Sequence, residues 1–323
     1  MKVKEYITQE CIEQKVHSKK VKVSVVRNLK ERIWEFVFLL AAGFSIIAVL
    51  LICLFLFANG IPAMHKIGLA NFLFGTKWKP GAELYGIFPM IVGSLYVTAG
   101  AIIVGVPIGF MTAVFLSKFC PEWMHKILKP AIDLLAGIPS VVYGFFGLMV
   151  IVPFVRNVFG GNGSSILTAS LLLGMMILPT IISVSESALN AVPQNYYEGS
   201  RALGATHERS VFVTMVPAAK SGIMAGIILG IGRALGETMA VIMVAGNQAR
   251  IPDSILKGVR TLTANIVIEM GYATDLHREA LIATGVVLFV LNFLIVVEMG
   301  NWNKGSAHCK IGRSRKRKNY SPD

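Results

Sequence analysis

The chain has 323 residues, 54% of them hydrophobic and only 15% charged, with a mean hydropathy of +0.64; soluble globular domains carry about 25% charged residues, so this composition belongs to an integral membrane protein. A formal charge of +13 would suit a nucleic-acid binder, but the Lys and Arg residues sort by side of a membrane instead of clustering in one domain. Four cysteines and six histidines lack the spacing of a disulfide framework or a metal site, so neither a metal nor another cofactor is expected.

A basic arm, 1–33, precedes the first apolar run, which starts too late and runs too long for a cleaved signal peptide. Apolar runs at 36–57, 84–117, 134–155, 157–185, 221–249 and 280–297 each approach or exceed the roughly 20 residues that span a bilayer. The predicted fold is therefore all-α, with six transmembrane helices in a domain over 34–299. With both termini placed in the cytoplasm, 22 Lys and Arg fall inside and eight outside, with Arg233 in the membrane, as the positive-inside rule requires. The loop 58–83, rich in Gly and Pro and carrying Trp78, then lies outside. Gly100, Gly105, Pro107 and Gly109 in the second helix, and Pro139, Gly144 and Gly147 in the third, demand neighbours that cover the exposed backbone. The basic tail, 300–323, reads as a topology signal or an anionic-lipid contact.

The segment 184–217 is the longest inside loop between spans. Asn195 with Glu198 three residues on predicts a capping box that starts a short helix at Tyr196. Gly204 ends it as a left-handed cap, Thr206 caps a second helix with Glu208 in its first turn, and Pro217 marks entry to the next span. The product is a bent finger. An ordinary capped surface loop remains the other reading of these residues.

The next span carries Arg233 and Glu237 near its middle. Wound at about 100° per residue, Gly222, Gly226, Gly230, Glu237 and Ala240 fall within about 60° of Arg233. That face must point into the bundle, because an Arg turned to lipid costs at least about 3 kcal/mol. Four residues apart, the two charges are predicted to pair.

Glu198-Gly199-Ser200, three residues, Gly204, nine residues, then Thr214-Met215-Val216-Pro217 resembles the EAA loop of ABC importer permeases, with Gly199 and Ser200 standing where that pattern has alanines and Thr214 and Val216 where it has Ile and Leu. The resemblance implies a type I importer permease (MetI-like) fold, and a finger that docks a separate ATPase through Tyr197, Glu198, Gly199, Ser200, Leu203, Gly204 and Pro217. Gly232-Arg233-Ala234-Leu235-Gly236-Glu237-Thr238-Met239-Ala240-Val241, with Ile138-Pro139-Ser140-Val141-Val142-Tyr143-Gly144 and Leu84-Tyr85-Gly86-Ile87, is similar to the PstC-type permeases of phosphate importers. That similarity implies a multi-pass permease in the plasma membrane, a PstA-type permease as heterodimer partner, two copies of a PstB-type ATPase and an external PstS-type phosphate-binding protein.

Three roles remain open for the charge pair: a mutual lock that only stabilises the fold, an anion contact, or a proton relay. No chain of further buried acids or histidines continues from it, which disfavours the relay. The planar fork of Arg233 suits an oxyanion, and Glu237 would hold it until the anion arrives. Ser140, Tyr143 and Thr238 could add neutral donors, or could instead satisfy neighbouring backbone carbonyls. An enzyme is not indicated: the stretch from Gly230 to Thr238 has Glu237 where a Walker A loop needs Lys, and its glycines are wrongly spaced. Composition alone would equally fit a channel or secondary transporter, and Arg233 alone would accept molybdate, sulfate or phosphonate as well as phosphate.

Overall fold

The computed structural model describes the backbone of residues 2–318 and the side chains of residues 31–298. The chain divides into two compact units, residues 1–58 and residues 59–323. Helix α1 (Lys2–Ile67) supplies the first unit and runs on into the second. In the first unit Phe38, Leu39, Phe44, Ile47 and Leu51, which share no single face, are all exposed. A helix that is apolar all round has no watery side, and suits lipid or another apolar helix.

The second unit continues from the end of α1 through α2 (Leu69–Phe74) and a two-stranded antiparallel hairpin, β1 (Trp78–Lys79) with β2 (Leu84–Tyr85). Helix α3 (Phe88–Val114) closes in a π-helical turn over Phe115–Phe119. After α4 (Glu122–Gly137), α5 (Ser140–Phe146) passes through a second π turn, Gly147–Ile151, into α6 (Val152–Phe159). Helix α7 (Ile166–Asn190) is the centre of the unit, with Leu172, Leu173, Ile177 and Ile181 at most 1% exposed.

Helices α3 and α7 can run close together because their contact is built from small residues. A Cβ on Gly105 would lie 2.9 Å from the Gly174 carbonyl oxygen, and one on Gly100 2.2 Å from Ser170 Oγ. Such surfaces let membrane helices gain packing where no hydrophobic drive exists. Ser170 Oγ also donates to the Val97 carbonyl, 3.2 Å away.

A bent segment follows: α8 (Gln194–Ala202), α9 (His207–Arg209), a π-helical run Ser210–Met215 and α10 (Val216–Ala218). Then come α11 (Lys220–Gly236), α12 (Met239–Val244), α13 (Leu262–Met270) and α14 (Asp275–Lys318). Among the described residues five helices are long and apolar enough to cross a membrane. A sixth crossing arises if His207–Ala218 and Lys220–Gly236, bent by 70°, are one span. The expected run 221–249 is not a single helix, because α11 stops at Gly236 and α12 begins at Met239, and the run 134–155 starts inside α4 and crosses a break. Hydropathy marks apolar stretches, and does not register where the backbone leaves helical geometry.

At the hairpin end the unit is tied by Glu269 of α13. Its buried carboxylate accepts from Arg260 at 2.6 Å and from Trp78 Nε1 at 2.7 Å, and meets His277 Nε2 at 2.9 Å. Three partners on one carboxylate compensate its loss of water.

Candidate functional site

Helix α11 ends at Gly236. Glu237 adopts extended backbone, φ −69° and ψ 131°, and α12 restarts after Thr238. Leaving the helix strips backbone groups of their partners, and the local side chains replace them. Glu237 Oε1 accepts from the amides of Thr238 at 3.1 Å and Ala240 at 3.2 Å, which caps α12 with a negative charge at its positive end. Thr238 Oγ1 donates to the Gly236 carbonyl, and Thr263 Oγ1 donates to that of Glu237 at 3.0 Å.

The predicted ion pair is thereby corrected. Glu237 is no longer one helical turn above Arg233, so its carboxylate serves α12, and among the described residues no carboxylate pairs with Arg233. Arg233 is exposed, and its NH1 donates to Thr180 Oγ1 of α7 at 3.4 Å. The small-residue face does point inward. Positions where a Cβ on Gly222, Gly226 and Gly230 would sit lie 2.4, 3.1 and 3.0 Å from Ala188, Val184 and Ile181 of α7. Arg233 stands at the edge of that contact.

A second break lies alongside. Ile138 and Pro139 are extended between α4 and α5, and Tyr143 spans the gap by donating to the Leu135 carbonyl at 3.0 Å. The Tyr143 hydroxyl lies within electrostatic reach of Arg233. Ser140, half-buried, opens α5. Helices α5 and α12 are held close at Gly144, where a Cβ would come within 3.0 Å of the Ala240 Cα and 2.7 Å of Met243 Sδ. The two unwound points are thus joined through α5 and α12, with Tyr143 of one within electrostatic reach of Arg233 in the last turn of α11; broken membrane helices address charged cargo in this way. The positive end of α12 is already neutralised by Glu237, which leaves Arg233 and the opening of α5 as the groups suited to an anion.

At the opposite end, α8 to α10 form an elbow. Helix α8 starts at Gln194 with Pro193 at its cap position and no side-chain cap, so the predicted Asn195–Glu198 capping box is corrected. Pro193 at φ −56° sets the entry, and Asn195 already lies within the first turn. Gly204 turns the chain at φ +83°, and the Thr206 hydroxyl caps α9 through the Arg209 amide at 3.4 Å. The Glu208 carboxyl is held below the usual range by its own backbone amide and then by the Thr206 hydroxyl. Glu198 and Gly199 are exposed, and Ser200 Oγ accepts from Thr214 Oγ1 at 3.4 Å. Leu203 at the tip is 91% exposed, and Pro217 sits at the 70° bend into α11.

Three participants escaped the sequence reading. Thr180 and Thr263 are hydroxyls in apolar helices, which carry no distinguishing pattern. His207, whose ring meets Tyr197 OH at 2.9 Å and the Lys118 carbonyl at 3.1 Å, looked like one more scattered histidine.

Residues 105–302 match the family described as "Binding-protein-dependent transport system inner membrane component". Probable ABC transporter permease protein YqgH of Bacillus subtilis is 38% identical over 278 residues, covering 84% of this chain and 90% of that protein. Phosphate transport system permease protein PstC of Mesorhizobium japonicum is 36% identical over 262 residues, covering 75% and 80%. Among solved structures, an inward-facing MetNI methionine ABC transporter chain is 20% identical with a TM-score of 0.56, covering 71% of this chain and 99% of that one. A chain of a bacterial ABC transporter that imports alginate has a TM-score of 0.54 at 13% identity, covering 84% and 98%. At those identities the likeness concerns the fold.

Proposed function

Because the chain belongs to the family of binding-protein-dependent transport system inner membrane components, with the MetI-like permease fold, we propose that it is the PstC-type subunit through which an ATP-driven importer passes inorganic phosphate. It is a membrane component rather than an enzyme, and ATP is hydrolysed by a separate subunit. The assembly we propose pairs it with a PstA-type permease, two copies of a PstB-type ATPase engaged by the elbow, and a PstS-type binding protein at the hairpin end. We assign the arm 1–33 and the tail 300–323 to the cytoplasm, flanking a permease domain over 34–299.

The observation that carries this reading is Arg233: an exposed guanidinium, paired with no carboxylate among the described residues, beside two helix breaks. Among the described residues its one hydrogen-bond partner is a neutral hydroxyl at 3.4 Å, near the long limit of a hydrogen bond. An arriving oxyanion gains a charge-assisted contact and displaces little. Because that contact is single, the anion also leaves, as conduction requires. Ser140, Tyr143 and Thr238 are neutral groups at or beside the two breaks, Tyr143 and Thr238 each donating to a backbone carbonyl. Glu237 acts by holding α12 in place.

The test is uptake by the purified four-component complex in vesicles. Arg233→Gln is expected to abolish phosphate import, and Arg233→Lys to restore only part, since a point charge lacks the fork. Normal uptake by Arg233→Gln would remove the role. Assays with phosphate, molybdate, sulfate and phosphonate identify the cargo, and steady phosphate flux without ATP would instead indicate a channel.

A further inference from the structure

The elbow is joined through the chain to α7 on one side and α11 on the other, yet it also grips α3. The grip is His207. The Lys118 carbonyl can only accept, so the ring carries its proton on Nε2 and donates across 3.1 Å. Nδ1 meets the hydroxyl of Tyr197, on α8, at 2.9 Å. The ring stands edge-on to Phe119 at 4.8 Å between centroids and to Tyr197 at 5.6 Å.

Lys118 offers its carbonyl because it lies in the last turn of a helix, where acceptors lack intrahelical partners. Pro121, just beyond, has no amide to give. The π-helical turn Phe115–Phe119 that ends α3 thus faces the run Ser210–Met215 that follows His207, and π-helical turns gather at functional sites. The two runs also meet through Phe119 and Phe212, whose ring centroids lie 6.4 Å apart. Apolar contacts of that kind resist separation but tolerate sliding. Two hydrogen bonds on opposite edges of one planar ring fix position.

We propose that His207 is a positioning residue for energy coupling: it locks α8 of the elbow to the end of α3, so that movement of the elbow carries three helices instead of two. This rests on the permease reading above. The test uses the complete complex with its ATPase and binding protein in vesicles, and reads phosphate imported per ATP hydrolysed. A change that merely reduced folding would lower the amount of complex and leave that ratio untouched.

His207→Leu keeps the bulk against Phe119 and loses both hydrogen bonds. It is expected to lower the ratio about fivefold, the scale set by losing one or two part-buried hydrogen bonds in a coupling step. His207→Gln, which can still donate to Lys118, is expected to retain most coupling. Tyr197→Phe removes one hydroxyl and is expected to lower the ratio about twofold on the same scale; it carries the test if His207→Leu fails to assemble. An unchanged ratio in Tyr197→Phe and in any assembled His207→Leu overturns the clamp while the permease reading stands. A wild-type complex that hydrolyses ATP without importing phosphate overturns both.

Discussion

Glu237 shows how far a residue's role departs from its spacing. Its place four residues after Arg233 in an apolar run predicts a partner for the guanidinium, whereas the carboxylate caps α12 through the Thr238 and Ala240 amides. The two roles make different demands. A cap needs an acceptor oxygen first and a charge second: Glu237→Gln keeps the acceptor and is expected to cost about 0.5 kcal/mol from the lost charge at the helix end. Glu237→Ala removes the acceptor and should cost about 1 kcal/mol or more. Melting of the purified permease in detergent checks the order, wild type above Gln above Ala; an Ala variant as stable as wild type would rule out the cap. Arg233 was legible from the sequence because a charge in an apolar run stands out whatever its partner. Thr180, which holds it, was not, since hydroxyls in membrane helices are common and bond mostly to their own backbone.

Among elements, the elbow was the most readable and the broken helices the least. Gly204 and Thr206 act locally, through a positive φ and a side chain bonded three residues on, so their meaning is written within a few positions. Nothing local separates Gly236, where α11 stops, from Gly222, Gly226 and Gly230, which it runs straight through. The break depends on distant groups: the Thr263 hydroxyl that takes the Glu237 carbonyl, and Gly144, which lets α5 lie against α12. Gly144→Leu is therefore expected to push these helices apart and destabilise the permease by about 2 kcal/mol, within the usual range for overpacking. Loss of uptake with a lowered melting temperature supports this, and wild-type melting counts against it. At the hairpin end, Glu269→Ala leaves the Arg260 guanidinium half-buried and without its carboxylate. The expected cost is about 3 kcal/mol, read as the same melting shift, and an unshifted transition would show that the triad does not hold the hairpin end.

For the whole molecule, the reading assigns the elbow to the cytoplasm and the hairpin to the outside. In a cysteine-free background, Lys77→Cys should react with a membrane-impermeant reagent in intact cells, and Leu203→Cys only after permeabilisation; the opposite pattern would invert the topology. Leu203→Glu should also weaken capture of the ATPase about tenfold, the scale of losing one exposed apolar anchor, and full capture would place the contact elsewhere. Five crossings, and a sixth if the bent pair is one span, were visible from hydropathy alone, while the 70° bend and the two unwound points were invisible to it, because a window of apolar residues reads the same straight or bent. The unwound pair at Glu237 and Thr238 divides one apolar run into a long rod, α11, and a short stub, α12. On the proposed coupling, a thrust from the motor side would swing the rod with its guanidinium and be absorbed at that joint, while the stub keeps its footing on α5. Spin-label distances from α11 to α12 should change between nucleotide states while those from α11 to α7 and from α12 to α5 hold still, so that one door can move without unlatching the other.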